Sequence, residues 1–300
     1  MENKINWFPG HMKSALDMIG AELKLCDVII YVLDARCPRS CLNPKFEDFT
    51  AKKPVLFVYN KADLAPAAKG ASCELQVTNG GNQYADTKCS AVALNSTQSG
   101  AGQRVTAAVN KILADKIKAM ADKGINKTIR AVVIGVTNCG KSTLINNLAG
   151  SGKALTGDKP GVTKAKQWVA VNSSRVRGGG GWGLGGFWVL DTPGTLWPKF
   201  DDPQIAKNLA YVGSIRDDVL DIVELVKSLI TDLERLVPGC VGKRFGANDF
   251  EGICKKRGYV LKGGILDEQR AARAILTEFR AGKLGRFNLD MLLPNGYHKK

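Results

Sequence analysis

Two short stretches carry residues whose types and spacing suit defined chemistry. The first is GVTNCGKST, residues 135–143, which fits G-x-x-x-x-G-K-[ST] at Gly135, Gly140, Lys141 and Ser142. Glycines at these positions let a backbone wrap closely around a phosphate, and the N–H groups of Asn138, Cys139 and Gly140 then face the anion together with the helix N-terminus at Lys141–Thr143. Lys141 is of a length to reach β- and γ-phosphates, and the Ser142 hydroxyl suits Mg²⁺. The second stretch is NKAD, residues 60–63. A carboxylate at Asp63 accepts from guanine N1–H and the exocyclic amine, donors that adenine lacks. Asn60 would brace the loop and the Lys61 stem would lie along the base. CSA, residues 89–91, is read as the source of backbone N–H groups for guanine O6, which adds Ser90 and Ala91 to the site.

A third motif, DTPG at 191–194, ends an apolar run. It places Asp191 to hold magnesium through water and the Gly194 N–H to meet a γ-phosphate. Thr163 in PGVT lies between the phosphate loop and this motif, where a threonine would complete the metal shell. The position that carries a water-orienting glutamine in Ras-like proteins is Thr195, so hydrolysis by these residues alone is expected to be slow.

These motifs need strands and helix starts to position them. DVIIYVL (27–33), PVLFVYN (54–60), a short run ending in KCSA (88–91), IRAVVIG (129–135), QWVAV (167–171) and GFWVLD (186–191) read as strands, most of them apolar and β-branched. Helical spacing marks 11–25, a long helix over 101–123, and a helix opening near Lys141. Strands alternating with helices predict an α/β fold with a doubly wound, mostly parallel sheet. The glycine-rich NSSRVRGGGGWGLGG, 172–186, reads as a hairpin tip. Beyond residue 205 only helix-like segments occur. This divides the chain into residues 1–204 and a small helical domain, 205–300.

Composition narrows the partners. The 300 residues are 44% hydrophobic and 24% charged, as in a globular protein with a core, and the net charge is +15. Such an excess points to nucleic acid first and an anionic membrane surface second. The basic residues Lys243, Arg244, Lys255, Lys256, Arg257, Lys262, Arg270, Arg273, Arg280, Lys283 and Arg286 concentrate in the helical part. Structured RNA is the expected partner, bound mainly through backbone and shape. No apolar run is long enough to cross a bilayer and no secretory signal is visible, which predicts a cytoplasmic protein with reduced cysteines. With two histidines, His11 and His298, a zinc cluster is not expected.

The guanine loop precedes the phosphate loop, the reverse of familiar GTPases. Joining the ends of the usual fold and opening it elsewhere produces this order while leaving each loop in place. The chain resembles the circularly permuted GTPases of the YlqF/RbgA type. The resemblance rests on NWFPGHM (6–12), DVIIYVLDAR (27–36), NKADL (60–64), GVTNCGKSTLIN (135–146), PGVT (160–163), DTPG with LWPK after it (191–199) and RAARAILTEFRAGKLGR (270–286). It implies a permuted P-loop GTPase domain followed by an RNA-binding helical domain. It further implies a factor that joins a maturing large ribosomal subunit with GTP and leaves on hydrolysis. The implied cofactors are GTP/GDP and Mg²⁺. The implied partners are the subunit precursor and its rRNA, with neither DNA nor membrane, and the protein is expected to be monomeric.

The glycine-rich tip and Thr195 depart from the family pattern. The resemblance also makes His11 a candidate for positioning water, beside Lys141 and Thr163; from chemistry alone it reads as a surface or helix-capping histidine. Asn138 is read either as a K⁺ ligand, as in similar GTPases, or as a brace of the loop. A tRNA-modifying or membrane GTPase would need extra catalytic or amphipathic elements, and a small-subunit permuted GTPase would carry a β-barrel or zinc module; this sequence shows neither. A GTP-dependent RNA-binding scaffold with negligible hydrolysis stays open, since no sure catalytic residue is visible.

Overall fold

The computed structural model describes residues 10–66, 88–125, 128–150, 167–172, 186–200 and 202–294, the side chains of 10–15 and of Asn172 excepted. Helix α1 (Gly10–Leu25) leads into β1 (Val28–Asp34), and β2 (Val55–Asn60) and β3 (Cys89–Ala93) follow. Then come α2 (Ala101–Ile112), α3 (Ala114–Asp122), β4 (Ile129–Ile134), α4 (Lys141–Ala149), β5 (Gln167–Asn172) and β6 (Gly186–Asp191). The strands form one sheet in the order β3-β2-β1-β4-β6-β5. Every pairing is parallel except β5 with β6. Each residue of β1 and β2 is buried, as expected of central strands covered on both faces.

The helix read over 101–123 bends at Leu113. Bonds from Leu113 N–H to the Val109 carbonyl (3.0 Å) and from Ile117 N–H to the Leu113 carbonyl (2.9 Å) continue through the bend. Leu113 turns into the core there, while no residue of α3 is buried. The β5–β6 register brings Asn172 opposite Gly186. The hairpin tip read between them, 173–185, lies outside the described residues.

The remainder is helical: α5 (Pro203–Tyr211), α6 (Ile222–Leu236), α7 (Cys240–Phe245), α8 (Phe250–Lys256) and α9 (Glu268–Arg280). Four of these helices begin at an aspartate whose side chain accepts from the first turn. Asp202 takes Gln204 N–H at 2.6 Å, Asp221 takes Val223 N–H at 3.1 Å, Asp249 takes Gly252 N–H at 2.6 Å and Asp267 takes Arg270 N–H at 3.2 Å. The apolar core runs without interruption from the sheet through Leu196 and Trp197 into Leu209, Leu229 and Ile275. None of the seven described cysteines forms a disulfide. Burial raises the Cys26 thiol to about 11, despite nearby Lys53, so it stays protonated at neutral pH. Among the described residues, no helix is long and apolar enough to cross a membrane.

Candidate functional site

The motifs gather at the C-terminal ends of the parallel strands, where open α/β sheets place their ligands. Asp34 ends β1, Asn60 ends β2, Asp191 ends β6, and Gly135 follows β4 directly. The reversed motif order is therefore only a matter of connectivity.

The phosphate loop is held by tight backbone approach. Gly140 has φ +95°, and a side chain there would collide with the Asn60 amide. Lys141 is 6% exposed, with its ammonium on the carbonyls of Val136 (2.7 Å) and Gly135 (3.2 Å). Ser142 Oγ donates to Asp191 Oδ2 at 3.1 Å. Thr143 is the next residue of α4 and is half-buried. The segment after Asp191 folds back onto the loop. A Cβ on Gly194 would fall 2.6 Å from Thr137 Cα, and the Thr195 N–H donates to the Gly135 carbonyl at 3.3 Å. A hydroxyl and a buried carboxylate this close form a hard oxygen pair. It suits Mg²⁺, which completes its octahedron with water and phosphate oxygens. Thr163 and its neighbours lie outside the described residues.

The guanine loop is bonded to the phosphate loop across 79 residues of chain. Asn60 Nδ2 donates to the Cys139 carbonyl at 2.7 Å, and its Oδ1 accepts from the N–H (2.9 Å) and hydroxyl (2.8 Å) of Ser96. Lys61 adopts φ +56°, a left-handed conformation that turns the chain sharply after β2. Its ammonium bonds the Asn138 carbonyl at 2.7 Å and pairs with Asp34 at 3.0 Å. Asp63 is exposed beside these contacts. Asp34 also receives Arg36 in a fork, Nε at 2.9 Å and Nη2 at 2.7 Å. Burial alone would raise the Asp34 pKa, but Arg36 and then Lys61 outweigh it and hold the carboxyl well below the usual range.

The structure corrects the reading of CSA. Ser90 and Ala91 lie inside β3, in register with Leu56 and Phe57 of β2, short of the strand's C-terminal end. Side-by-side pairing with β2 sets where β3 stops, and the backbone that reaches the guanine loop is Leu94–Ser96. There the Leu94 carbonyl accepts from the Ala62 N–H at 3.1 Å, and Ser96 bonds Asn60. An available signal was Asn95, whose Oδ1 accepts from the Thr97 N–H at 2.9 Å in a local turn that marks the end of the strand.

Asn138 has φ +55°, and its amide nitrogen donates to the Gly213 carbonyl at 2.9 Å. That contact ties the phosphate loop to the turn after α5. His11 lies in the first turn of α1, and its side chain is outside the described residues. The basic cluster divides. Lys243, Lys255, Lys256, Lys262, Arg273, Lys283 and Arg286 are exposed. Arg244 instead pairs with Glu278 at 2.6 Å, and Arg280 pairs with Asp217 at 2.8 Å, so both serve the fold. Arg257 and Arg270 are exposed but lie over the rings of Phe245 and Tyr259.

A family model described as "50S ribosome-binding GTPase" matches residues 130–240. The chain is 36% identical over 296 residues to ribosome biogenesis GTPase A of Bacillus cereus, covering 95% of this chain and 93% of that protein. It is 28% identical to mitochondrial GTPase 1 of Schizosaccharomyces pombe, covering 96% and 90%. The crystal structure of GNP-bound YlqF from T. maritima shares the fold, with TM-score 0.58 at 23% identity over 91% of this chain and 96% of that one. With the phosphate and guanine loops joined as described and identity sustained along the whole length, the chain belongs to the ribosome biogenesis GTPase A family.

Proposed function

We propose that this protein hydrolyses GTP as an assembly factor of the large ribosomal subunit, binding the maturing particle with GTP and leaving it after hydrolysis. The observation that carries this reading is the hydrogen-bonded union of the two loops, Asn60 to Cys139 and Lys61 to Asn138, with the helical part, which carries exposed basic residues, bonded to the phosphate loop at Gly213 and Ser214. In the proposed division, residues 1–204 bind nucleotide and residues 205–300 bind rRNA. Asp63 selects guanine, the backbone of Leu94–Ser96 meets its O6, and Lys141 with the loop N–H groups holds the phosphates. Ser142, Asp191 and Thr163 would hold Mg²⁺, which neutralises charge on the phosphates. A K⁺ contact at Asn138 is part of the proposal, as are a monomeric state and a cytoplasmic location.

Hydrolysis is proposed to be completed on the particle. Thr195 is 1% exposed, and its hydroxyl has no partner among the described residues. Threonine has no amide to orient water, so the free protein should turn over slowly. His11 would position the water once the particle is bound. Single-turnover GTP hydrolysis with and without large subunits tests this. His11→Ala should keep nucleotide affinity and lose most of the stimulation, on the order of a hundredfold. Full stimulation in that variant would remove His11 from the mechanism. No stimulation of the parent protein would leave a GTP-dependent RNA-binding scaffold.

A further inference from the structure

A closed circuit of contacts joins both nucleotide loops to the last turn of α9. On one side, Asn138 Nδ2 donates to the Gly213 carbonyl at 2.9 Å, Thr137 Oγ1 donates to the Ser214 carbonyl, and Ser214 Oγ donates back to the Thr137 carbonyl at 2.8 Å. The phosphate loop is thus clasped by the turn that follows α5. Arg280 sets that turn. Its guanidinium donates to the carbonyls of Ala210 (2.9 Å) and Tyr211 (3.0 Å), the last of α5, and pairs with Asp217. It also lies flat on Gly213, where a Cβ would sit 3.3 Å from Cζ. Gly213 has φ +84°, so the turn needs glycine for its backbone as well as for this contact.

On the other side, the Asn138 carbonyl accepts from Lys61, Lys61 pairs with Asp34, and Asp34 is forked by Arg36. Arg36 lies over the Phe279 ring, 5.8 Å from its centroid, and reaches the Arg280 carbonyl at 3.5 Å. Asp34 and Arg36 are 0% and 2% exposed, so their fork is shielded from solvent screening, while Lys61 is partly exposed. Both arms end at Phe279–Arg280, on the helix that carries exposed Arg270 and Arg273.

We propose that Arg280 is a positioning residue for the phosphate loop, and that through the Gly213–Ser214 turn it couples nucleotide state to RNA binding by α9. This route is separate from the chain connection running from Asp191 into α5. The circuit contains only side-chain contacts and one turn, so it passes strain in either direction. Nucleotide that fixes the Asn138 backbone fixes the turn and the end of α9, and RNA that holds α9 fixes the loop. Coupling of this kind is reciprocal.

The inference rests on the proposed function, in which particle binding depends on the nucleotide. The test is the affinity of the full-length protein for purified bacterial large ribosomal subunits, at fixed salt, with a non-hydrolysable GTP analogue and with GDP. The readout is the ratio of the two affinities. Arg280→Met removes the donors and keeps much of the stem; Arg280→Lys is the partial rescue; Ser214→Ala deletes one clasp bond and serves if Arg280→Met does not fold. We expect the ratio to fall at least about threefold toward unity in Arg280→Met and in Ser214→Ala, within the usual range of coupling factors, with Arg280→Lys between them and the parent. The ratio of GTP-analogue to GDP affinity, compared with and without subunits, should lose the same factor. A residue that only holds the helical part together would weaken both nucleotide states alike and keep the ratio. A parental ratio in both Arg280→Met and Ser214→Ala overturns the inference while leaving the functional reading standing. A parent protein whose ratio is already unity overturns both.

Discussion

Asn60→Ala is the perturbation that most directly probes the union of the two loops. Asn60 is 2% exposed and makes three hydrogen bonds, one to the Cys139 carbonyl and two from Ser96. At about 1 kcal/mol each their loss amounts to about 3 kcal/mol. The groups left behind, a loop carbonyl and a Ser96 N–H, are in a closed part of the fold, and water entering the vacated space offsets some of their cost. We therefore expect unfolding free energy in the absence of nucleotide to fall by about 2–4 kcal/mol. Nucleotide affinity should fall as well, because the Cys139 carbonyl ties the phosphate loop to the guanine loop. A tenfold loss in GDP affinity corresponds to about 1.4 kcal/mol. Urea unfolding and titration with fluorescent GDP give the two numbers. A loss below about 1 kcal/mol with unchanged GDP affinity would refute the argument, since it would mean that these buried contacts hold neither loop.

Asp63→Asn makes the opposite pattern: Asp63 is exposed, so stability should stay within about 0.5 kcal/mol while GTP affinity drops sharply and xanthine nucleotides gain, and tight GTP binding in the variant would move guanine recognition elsewhere. Lys255→Ala with Lys256→Ala removes two exposed charges without touching an internal contact given for Arg244, Arg257 or Arg280, and should shallow the salt dependence of RNA binding by about 1–2 in log–log slope; an unchanged slope places the RNA elsewhere. Burial raises Asp290 to about 6, although Ser40 Oγ and the N–H groups of Arg39 and Ser40 all donate to it. A raised folded value means that its contribution is full below 3.8 and is lost as pH rises through 6. Asp290→Asn should therefore gain stability relative to the parent as pH rises from about 4 to about 6, and a constant difference in urea unfolding across that range would contradict the assignment.

Much of this architecture is written in local pattern. The runs at 28–34 and 55–60 are apolar at every or nearly every position, which only strands covered on both faces require, and both are central. The phosphate loop is legible because its glycines answer to backbone geometry: Gly140 has positive φ and no room beside Asn60. What escapes local pattern is whatever depends on a partner distant in sequence. SA at 90–91 looks like a loop signal, yet pairing with β2 keeps those residues in the strand and moves the loop to Leu94–Ser96. Arg244 and Arg280 look like members of one basic surface, and only folding brings Glu278 and Asp217 to them. The Asp34–Arg36 fork is two residues apart, but its significance depends on Lys61 arriving from the next strand.

The permutation gives these distant contacts a direction. Opening the fold between the guanine and phosphate halves leaves β6 as the last strand before the helices, so residues 192–202 are the covalent link between Asp191 and α5. That link is not slack. Gly194 presses on Thr137, Thr192 Oγ1 donates to the Val133 carbonyl at 2.6 Å, and Trp197 and Phe200 pack edge to face at 4.8 Å within the core. These contacts anchor the described residues 192–200 that follow Asp191. The Gly213–Ser214 turn then meets the phosphate loop from the far end of α5. Helix α5 thus follows the Asp191 segment along the chain at Pro203 and is tied to the phosphate loop by hydrogen bonds at Gly213 and Ser214. On the proposed function, these two connections would let a change at the γ-phosphate reorient a basic helical surface rather than a single loop.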